Sequence, residues 1–349
     1  MKRLLLVLCG VALLISCRAY TVPPIDVSLE LMHLQGTSVL RQAEFKIWQV
    51  SELAGASILF EVFRLRVGSR EYVCDDLLNV YDPTNKKTIV LSEQAKAMLV
   101  EMWSALKTMA CAEPLKWLDA QKLLERMDSA EVLDIETGKS FMVQRRGGTY
   151  HADVQPLTRA DTAIMKEIYG GVWSWDRRAV IVTADNRTIA ASMNGMPHGQ
   201  GALNNNFPGH FCIHFWGSIT HASRAKDLGH HLMISKAAGE IWGLVRKATP
   251  EEQVRNMAAA LNQKDLWLTQ LFLLPISTSD LEHLVANVET IEIDEAVLAG
   301  AASDPCAVQI TGEVIYRGGS RAKLNTTVVL RIVEGVWKVD PAMLADIIG

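Results

Sequence analysis

The sequence predicts an α+β protein of several domains, in which two small α+β units flank a larger, strand-rich central unit. Three observations lead to this prediction. The chain has 349 residues, which is long enough for two or three domains of ordinary size. Its residues are 49% hydrophobic and 21% charged, which is typical of globular proteins. Strand-like alternating runs and helix-like periodic runs follow one another along the chain.

The first segment, residues 1–17, has the pattern of an export signal. Lys2 and Arg3 precede an apolar run that ends at Ile15, and this order is typical of a signal peptide. The run is shorter than the roughly 20 apolar residues that a membrane-spanning helix needs. Its end, LISC, resembles a bacterial lipobox, which implies lipidation of Cys17. We therefore expect an extracytoplasmic protein, either anchored to the membrane through Cys17 or secreted into the cell envelope.

Residues 18–111 are predicted to form the first small α+β unit. Runs such as SILFEVFRLRV and YVCDDLLNVY have the composition and alternation of strands. A helix is expected after Ser92, because Ser92 can act as its N-cap and apolar residues then recur at helical spacing. The unit contains no visible set of catalytic residues.

Residues 112–246 are predicted to be rich in strands. A Thr-Gly turn separates AEVLDIE from FMVQRR, and an Asp-Asn turn separates AVIVT from RTIAASM, so two hairpins are expected. Between them, Thr158 and Asp161 have the spacing of a capping box at the start of a helix.

Residues 249–349 are predicted to form the second small α+β unit. Thr249 and Pro250 are typical of a helix start, and alternating runs that end in GVWKVD follow. A helix followed by a curved antiparallel sheet resembles the NTF2-like or cystatin-like accessory domains of exported bacterial proteins. The resemblance covers about residues 250–345 and implies binding or scaffolding.

The reactive side chains are concentrated between residues 193 and 221. This segment holds four of the nine histidines and one of the six cysteines. If GHFCIHF is a strand, its apolar side chains point into a core. The opposite face then carries the three reactive side chains, His210, Cys212 and His214.

A cysteine between histidines is suited to nucleophilic catalysis. An imidazolium beside a thiol lowers the pKa of the thiol, and the thiolate is the nucleophile. The Gly- and Asn-rich loop upstream, NGMPHGQGALNNNFPG, offers His198 as a general base. Asn205 and Asn206 are candidate donors from the same loop to a bound substrate or an oxyanion.

The stretch HGQGALNNNFPGHFCIHF resembles the catalytic segment of L,D-transpeptidases. In that family a His-Gly pair precedes a loop, and a Ser-His-Gly-Cys-(apolar)-Arg stretch carries the nucleophile. His198 matches the first His, His210 matches the His before the cysteine, and Cys212 matches the nucleophile. Gly209 replaces the Ser or Thr of the family, and Phe211 replaces its second Gly. His214 replaces the family's Arg.

The resemblance covers about residues 115–240 and implies that Cys212 attacks a stem-peptide carbonyl, with His198 as the base. Our hypothesis is that His210 and His214 orient groups or stabilise charge, and the resemblance implies that peptidoglycan is the partner. The wider segment is also similar to a module of secreted cell-wall proteins. The formal net charge of -4 gives no reason to expect a nucleic-acid partner.

Two further side chains are candidates for substrate binding. Trp175 can offer a stacking surface, although a place in the core is the alternative. Arg178 can hold an anion, although a solvated position at a strand start is the alternative. His151 and Asp153 in HADV lie at alternate strand positions, so they either share the site or face solvent.

Two other functions remain open on the sequence. One is a zinc-dependent hydrolase, because imidazole and thiolate both suit zinc. Its candidate ligands are His210, His214, His221 and His230. The other is a non-catalytic peptidoglycan-binding module. We expect no cofactor in the acyl-transfer interpretation and zinc in the hydrolase interpretation.

Overall fold

The computed structural model describes residues 25–31, 37–42, 47–49, 60–220 and 226–348. These residues form a mixed α/β protein with several sheets, which agrees with the predicted class. The chain divides into two compact units, residues 1–110 and 111–349. The predicted signal segment with Cys17 lies outside the described residues. Within the described ranges, no helix combines the length and apolar character that crossing a membrane requires.

In the first unit, the described residues form one antiparallel sheet of seven strands, followed by a helix. The strands are β1 (Ile25–Leu31), β2 (Thr37–Gln42), β3 (Ile47–Gln49), β4 (Phe63–Val67), β5 (Arg70–Cys74), β6 (Val80–Asp82) and β7 (Lys87–Leu91). Their order in the sheet is β2-β1-β4-β5-β6-β7-β3. Helix α1 (Glu93–Ala110) begins after Ser92, whose Oγ accepts a hydrogen bond of 3.2 Å from the Ala95 N–H. The predicted N-cap is confirmed.

The second unit begins with helix α2 (Trp117–Leu123) and builds a closed antiparallel barrel. The strands and the helix within it are β8 (Ser129–Asp134), β9 (Ser140–Gly147), β10 (Ala152–Pro156), α3 (Arg159–Ile168), β11 (Arg178–Ala184), β12 (Arg187–Met193) and β13 (Phe211–His214). The barrel order is β10-β13-β12-β11-β8-β9. Apolar side chains such as Val132, Phe141 and Phe211 fill its core, and each contributes roughly 1.5–3 kcal/mol by burial.

Local sequence signals explain the barrel's connections. Both predicted hairpins are confirmed, as β8–β9 and as β11–β12. Asp185 and Asn186 have φ angles of 47° and 58°, which are typical of a two-residue hairpin turn. Helix α3 begins with the predicted capping box of Thr158 and Asp161.

Helices and a second sheet complete this unit. They are α4 (Leu228–Ala237), α5 (Ile241–Lys247), α6 (Pro250–Asn262), α7 (Leu266–Gln270), α8 (Thr278–Leu284), β14 (Val288–Leu298), β15 (Cys306–Tyr316), β16 (Arg321–Val333), β17 (Val336–Val339) and α9 (Ala342–Ile348). The sheet order is β14-β15-β16-β17. Thr249 caps α6, with Pro250 in the first turn, as predicted. Asn262 joins α6 to β14, because its side chain makes two hydrogen bonds of 2.8 Å to the Ile291 backbone.

Candidate functional site

The site is built on β13, the short strand between β10 and β12. Phe211 and Ile213 point into the barrel core. Cys212 therefore points to the opposite face, because side chains alternate along a strand. Asp153 on β10 is paired with Cys212 in the strand register, so the two side chains are neighbours on that face.

Cys212 and His198 form a hydrogen-bonded pair. The Cys212 Sγ lies 3.3 Å from the His198 Nε2, and the His198 Nδ1 lies 2.9 Å from the Met196 carbonyl oxygen. A carbonyl oxygen only accepts hydrogen bonds, so the Nδ1 carries a proton and the Nε2 offers its lone pair to the thiol. This arrangement allows the thiol proton to move onto the imidazole.

The backbone around His198 fixes the position of its ring. His198 and His210 exchange two backbone hydrogen bonds of 2.9 Å, which tie the loop to the residue before β13. Gly199 has a φ of 62°, and a Cβ at this position would lie 2.3 Å from the His210 ring. Only glycine fits there, which explains the glycine of the His-Gly pair.

The electrostatic environment of Cys212 differs from the one expected from the sequence. Burial, and then the negative charge of Asp153, raise the pKa of the Cys212 thiol. Burial is the largest cause that lowers the pKa of His198. The resting pair is therefore a neutral thiol beside a neutral imidazole. The expectation that an imidazolium lowers the pKa of Cys212 is wrong for the resting protein, because burial disfavours both charged forms.

His210 and His214 occupy different places around the pair. The His210 ring meets the His198 ring edge-on, with centroids 4.5 Å apart, and its Nε2 lies 4.0 Å from the Asp153 Oδ1. His214 is only 3% exposed and is stacked between the rings of His151 and His230. Burial is the main cause that lowers the pKa of His214 far below its ordinary value. His210 borders the thiol, and His214 belongs to a buried stack of imidazoles beneath it.

Asn194 is a site residue that the sequence does not reveal. It is 4% exposed, its backbone N–H donates to the Cys212 carbonyl oxygen at 3.4 Å, and its side chain partly offsets the rise in the pKa of Cys212. The residue follows the last position of β12, and only the pairing of β12 with β13 brings it to the sulfur. Asp153, by contrast, is one of the two residues of HADV that the sequence suggests, and the structure brings both it and His151 to the site: the His151 Nε2 lies 3.3 Å from the Asp153 Oδ1.

Only some of the candidate substrate-binding residues lie beside the Cys212–His198 pair. Trp175 is 50% exposed, and its ring centroid lies 5.2 Å from that of His198. Asn205 is 1% exposed, and its side chain holds the loop by bonding to the Pro156 carbonyl and the Phe207 N–H. Asn206 is exposed at a φ of 64°. Trp175 thus borders the pair, whereas Asn205 shapes the loop from inside.

Arg178 is not brought to the site. Its guanidinium makes hydrogen bonds of 2.6 and 3.0 Å to Asp134 and of 3.0 Å to Glu136. It also lies 5.8 Å from the centre of the Tyr169 ring. Asp134 is fully buried, so Arg178 compensates a buried charge and is neither a substrate clamp nor a solvated residue.

The Arg178→Met variant is therefore expected to unfold more easily than the wild type. It leaves the buried Asp134 carboxylate without its cation, which costs about 3–5 kcal/mol. Arg187→Met is the matched control, because the Arg187–Glu113 pair is about half exposed and is worth less than about 1 kcal/mol. Urea denaturation of both variants measures the difference. Equal losses would contradict the structural role of Arg178.

The geometry of the imidazole rings decides whether the site can hold a metal ion. His151, Cys212 and His214 have ligand atoms within 4.8 Å of one another among the described residues. The rings of His151 and His214 are stacked, with centroids 4.3 Å apart and planes 17° from parallel. Imidazole lone pairs lie in the ring plane, so stacked rings do not direct them at one zinc ion about 2.0–2.1 Å from each nitrogen. The group therefore does not fit zinc in this arrangement. Of the other predicted ligands, His210 and His230 lie outside this group, and His221 lies outside the described residues.

Comparison with known proteins adds no family assignment. The chain matches no model of a known protein family, and it matches no curated protein.

Proposed function

We propose that the barrel transfers acyl groups of peptidoglycan stem peptides through Cys212, in the manner of an L,D-transpeptidase. One observation carries this proposal. The Cys212 Sγ lies 3.3 Å from the His198 Nε2, while the other ring nitrogen of His198 is held by a backbone carbonyl. A nucleophile, a base and a group that orients the base are the parts that covalent catalysis requires.

In the first half of the reaction, the thiol proton moves to the His198 Nε2 as the sulfur attacks the peptide carbonyl carbon. The C–N bond then breaks, and His198 returns the proton to the leaving amine. The product is a thioester on Cys212. In the second half, an amine or water attacks the thioester, His198 takes its proton, and Cys212 leaves as the thiol.

Because the resting thiol is neutral, His198 acts as a general base during the attack. Asn194 supports this step, since its side chain lowers the pKa of Cys212 and so favours the developing thiolate. Asp153 opposes early ionisation of the thiol, because its charge raises the pKa of Cys212. We infer that the thiolate exists only while the substrate is bound.

The proposed location is the bacterial cell envelope. The signal pattern in residues 1–17 and the lipobox cysteine, Cys17, support export and membrane anchoring. An enzyme in the cell envelope has access to peptidoglycan, which carries the stem peptides. The sheet β14–β17 with α6 is proposed as an NTF2-like or cystatin-like layer that helps to bind this substrate.

Turnover of purified stem peptides, followed by mass spectrometry, tests the proposal. The wild type is expected to release the terminal residue or to form cross-linked dimers, and Cys212→Ala is expected to do neither. If Cys212→Ala turned over the peptides as well as the wild type, the proposed mechanism would be wrong. If both proteins bound peptidoglycan without turnover, a binding module would be the better description.

A further inference from the structure

A cleft of about 600 Å³ lies between the barrel and the α6–β14 layer. The barrel side contributes Trp173, Trp175, Asp176 and Arg177 from the loop before β11, together with Met196. The opposite side contributes the end of α6 and the first half of β14, including Glu289 and Glu292. The cleft therefore has walls from both parts of the second unit.

This cleft borders the catalytic pair on the side of His198. Met196 lines it, and the Met196 carbonyl oxygen is the group that holds the His198 Nδ1. Trp175 lines it as well, and its ring lies 5.2 Å from the His198 ring. His198 exchanges a proton with the leaving or entering group, so that part of the substrate lies on the His198 side of the thiol.

The described residues that line the cleft carry an excess of negative charge. Among the residues that the structure describes, four carboxylates line it, from Asp176, Asp227, Glu289 and Glu292, together with the guanidinium of Arg177. Arg177 is already paired with Asp227 at 2.7 Å. Lys264, at the margin, contacts Glu289 at 3.0 Å and Asp176 at 3.4 Å.

Asp176, Asp227 and Glu289 already pair with a cation, so Glu292 is the lining carboxylate that can bind a ligand. It is exposed, and it forms no ion pair with any other residue in the described ranges. Trp175 supplies an independent reason to expect a cation, because a half-exposed indole face attracts an ammonium group. A concave site with an aromatic wall and excess negative charge is complementary to an ammonium-bearing side chain.

We propose that this cleft binds an ammonium group of the peptide substrate, with Glu292 and Trp175 as its recognition residues. The role as a substrate subsite rests on the proposed acyl transfer. The α6–β14 layer then forms one wall of the substrate-binding site, so the second sheet contributes directly to recognition.

Binding to the Cys212→Ala protein tests the cleft without any catalysis. The probes are N-acetyl-Ala-Lys-Ala-amide and the same peptide with norleucine, which has an alkyl side chain without the charge. Isothermal titration calorimetry at low salt should show saturable binding of the lysine peptide, about tenfold tighter than the norleucine peptide, which corresponds to about 1.4 kcal/mol. Added salt should weaken the binding of the lysine peptide.

A matched pair of substitutions locates the binding. Glu292→Gln should weaken the lysine peptide about three- to fivefold, as expected for one partly exposed ion pair. Glu295→Gln, on the same strand but outside the cleft, should leave the affinity unchanged. Equal affinity for both peptides, no saturable binding, or equal losses in the two variants would each overturn the proposal. An unreactive Cys212 in the turnover assay would refute acyl transfer and would leave this binding result standing.

Discussion

Replacing His198 with Ala is expected to lower kcat by about 10²–10⁴-fold, the usual contribution of a general base. The thiol in the resting protein is neutral, because burial and Asp153 raise the pKa of Cys212. Without His198, the acceptor that stays beside the thiol among the described residues is the Asp153 Oδ1, at 3.8 Å from the sulfur, and a carboxylate is a weaker base than an imidazole. Steady-state kinetics on stem peptides measures the loss.

The same variant has a matched control. His231→Gln removes an imidazole whose ring contacts Trp216 and not His198 or Cys212, so its kcat should stay near that of the wild type. Because burial lowers the pKa of His198, the wild type should keep the base form of His198 at mildly acidic pH. A His198→Ala variant with kcat within about threefold of the wild type would rule out His198 as the base.

Acid is expected to destabilise the fold through its buried histidines. Burial lowers the pKa values of His214 and His230 far below their ordinary value. Above about pH 6.5, the ordinary pKa of histidine, both folded and unfolded states hold these groups neutral. Below it, only the unfolded state gains the protons, and the loss of unfolding free energy per group approaches about 1.4 kcal/mol per pH unit. The two together remove roughly 2 kcal/mol between pH 6.5 and 5.5, because the unfolded histidines are already half protonated at pH 6.5.

Urea denaturation at pH 7.5, 6.5 and 5.5 measures this slope. The His230→Gln variant should be less stable at pH 7.5, because it loses the hydrogen bond of 2.9 Å between the His230 ring and the Ser192 hydroxyl. Its loss of stability between pH 6.5 and 5.5 should nevertheless be smaller by about 1 kcal/mol. An unchanged slope would mean that His230 takes up protons in the folded state.

Much of the local structure is predictable from the sequence. The alternation in GHFCIHF predicts which face of β13 carries Cys212, because the side-chain period of a strand is two. The Asp185-Asn186 turn and the caps at Ser92, Thr158 and Thr249 are confirmed in the same way. These features depend on residues that are close together in the chain.

The rest of the candidate site depends on long-range pairing. Asn194 reaches the thiol only because β12 pairs with β13, and Asp153 faces Cys212 only because of the β10–β13 register. Burial of Cys212 and the charge of Asp153 reverse the pKa shift that neighbouring histidines suggest. Arg178 finds a buried partner in Asp134, across the β8–β11 pair. A single sequence does not specify such pairings.

The central claim is that Cys212 is an acylatable nucleophile. The most direct measurement is the intact mass of the wild type and of Cys212→Ala after incubation with a carbapenem, a strained cyclic amide that acylates nucleophiles. One adduct is expected on the wild type, located at Cys212 by peptide mapping, and none on the variant. A wild type that stays unmodified, or an adduct that forms equally on Cys212→Ala, would contradict the claim.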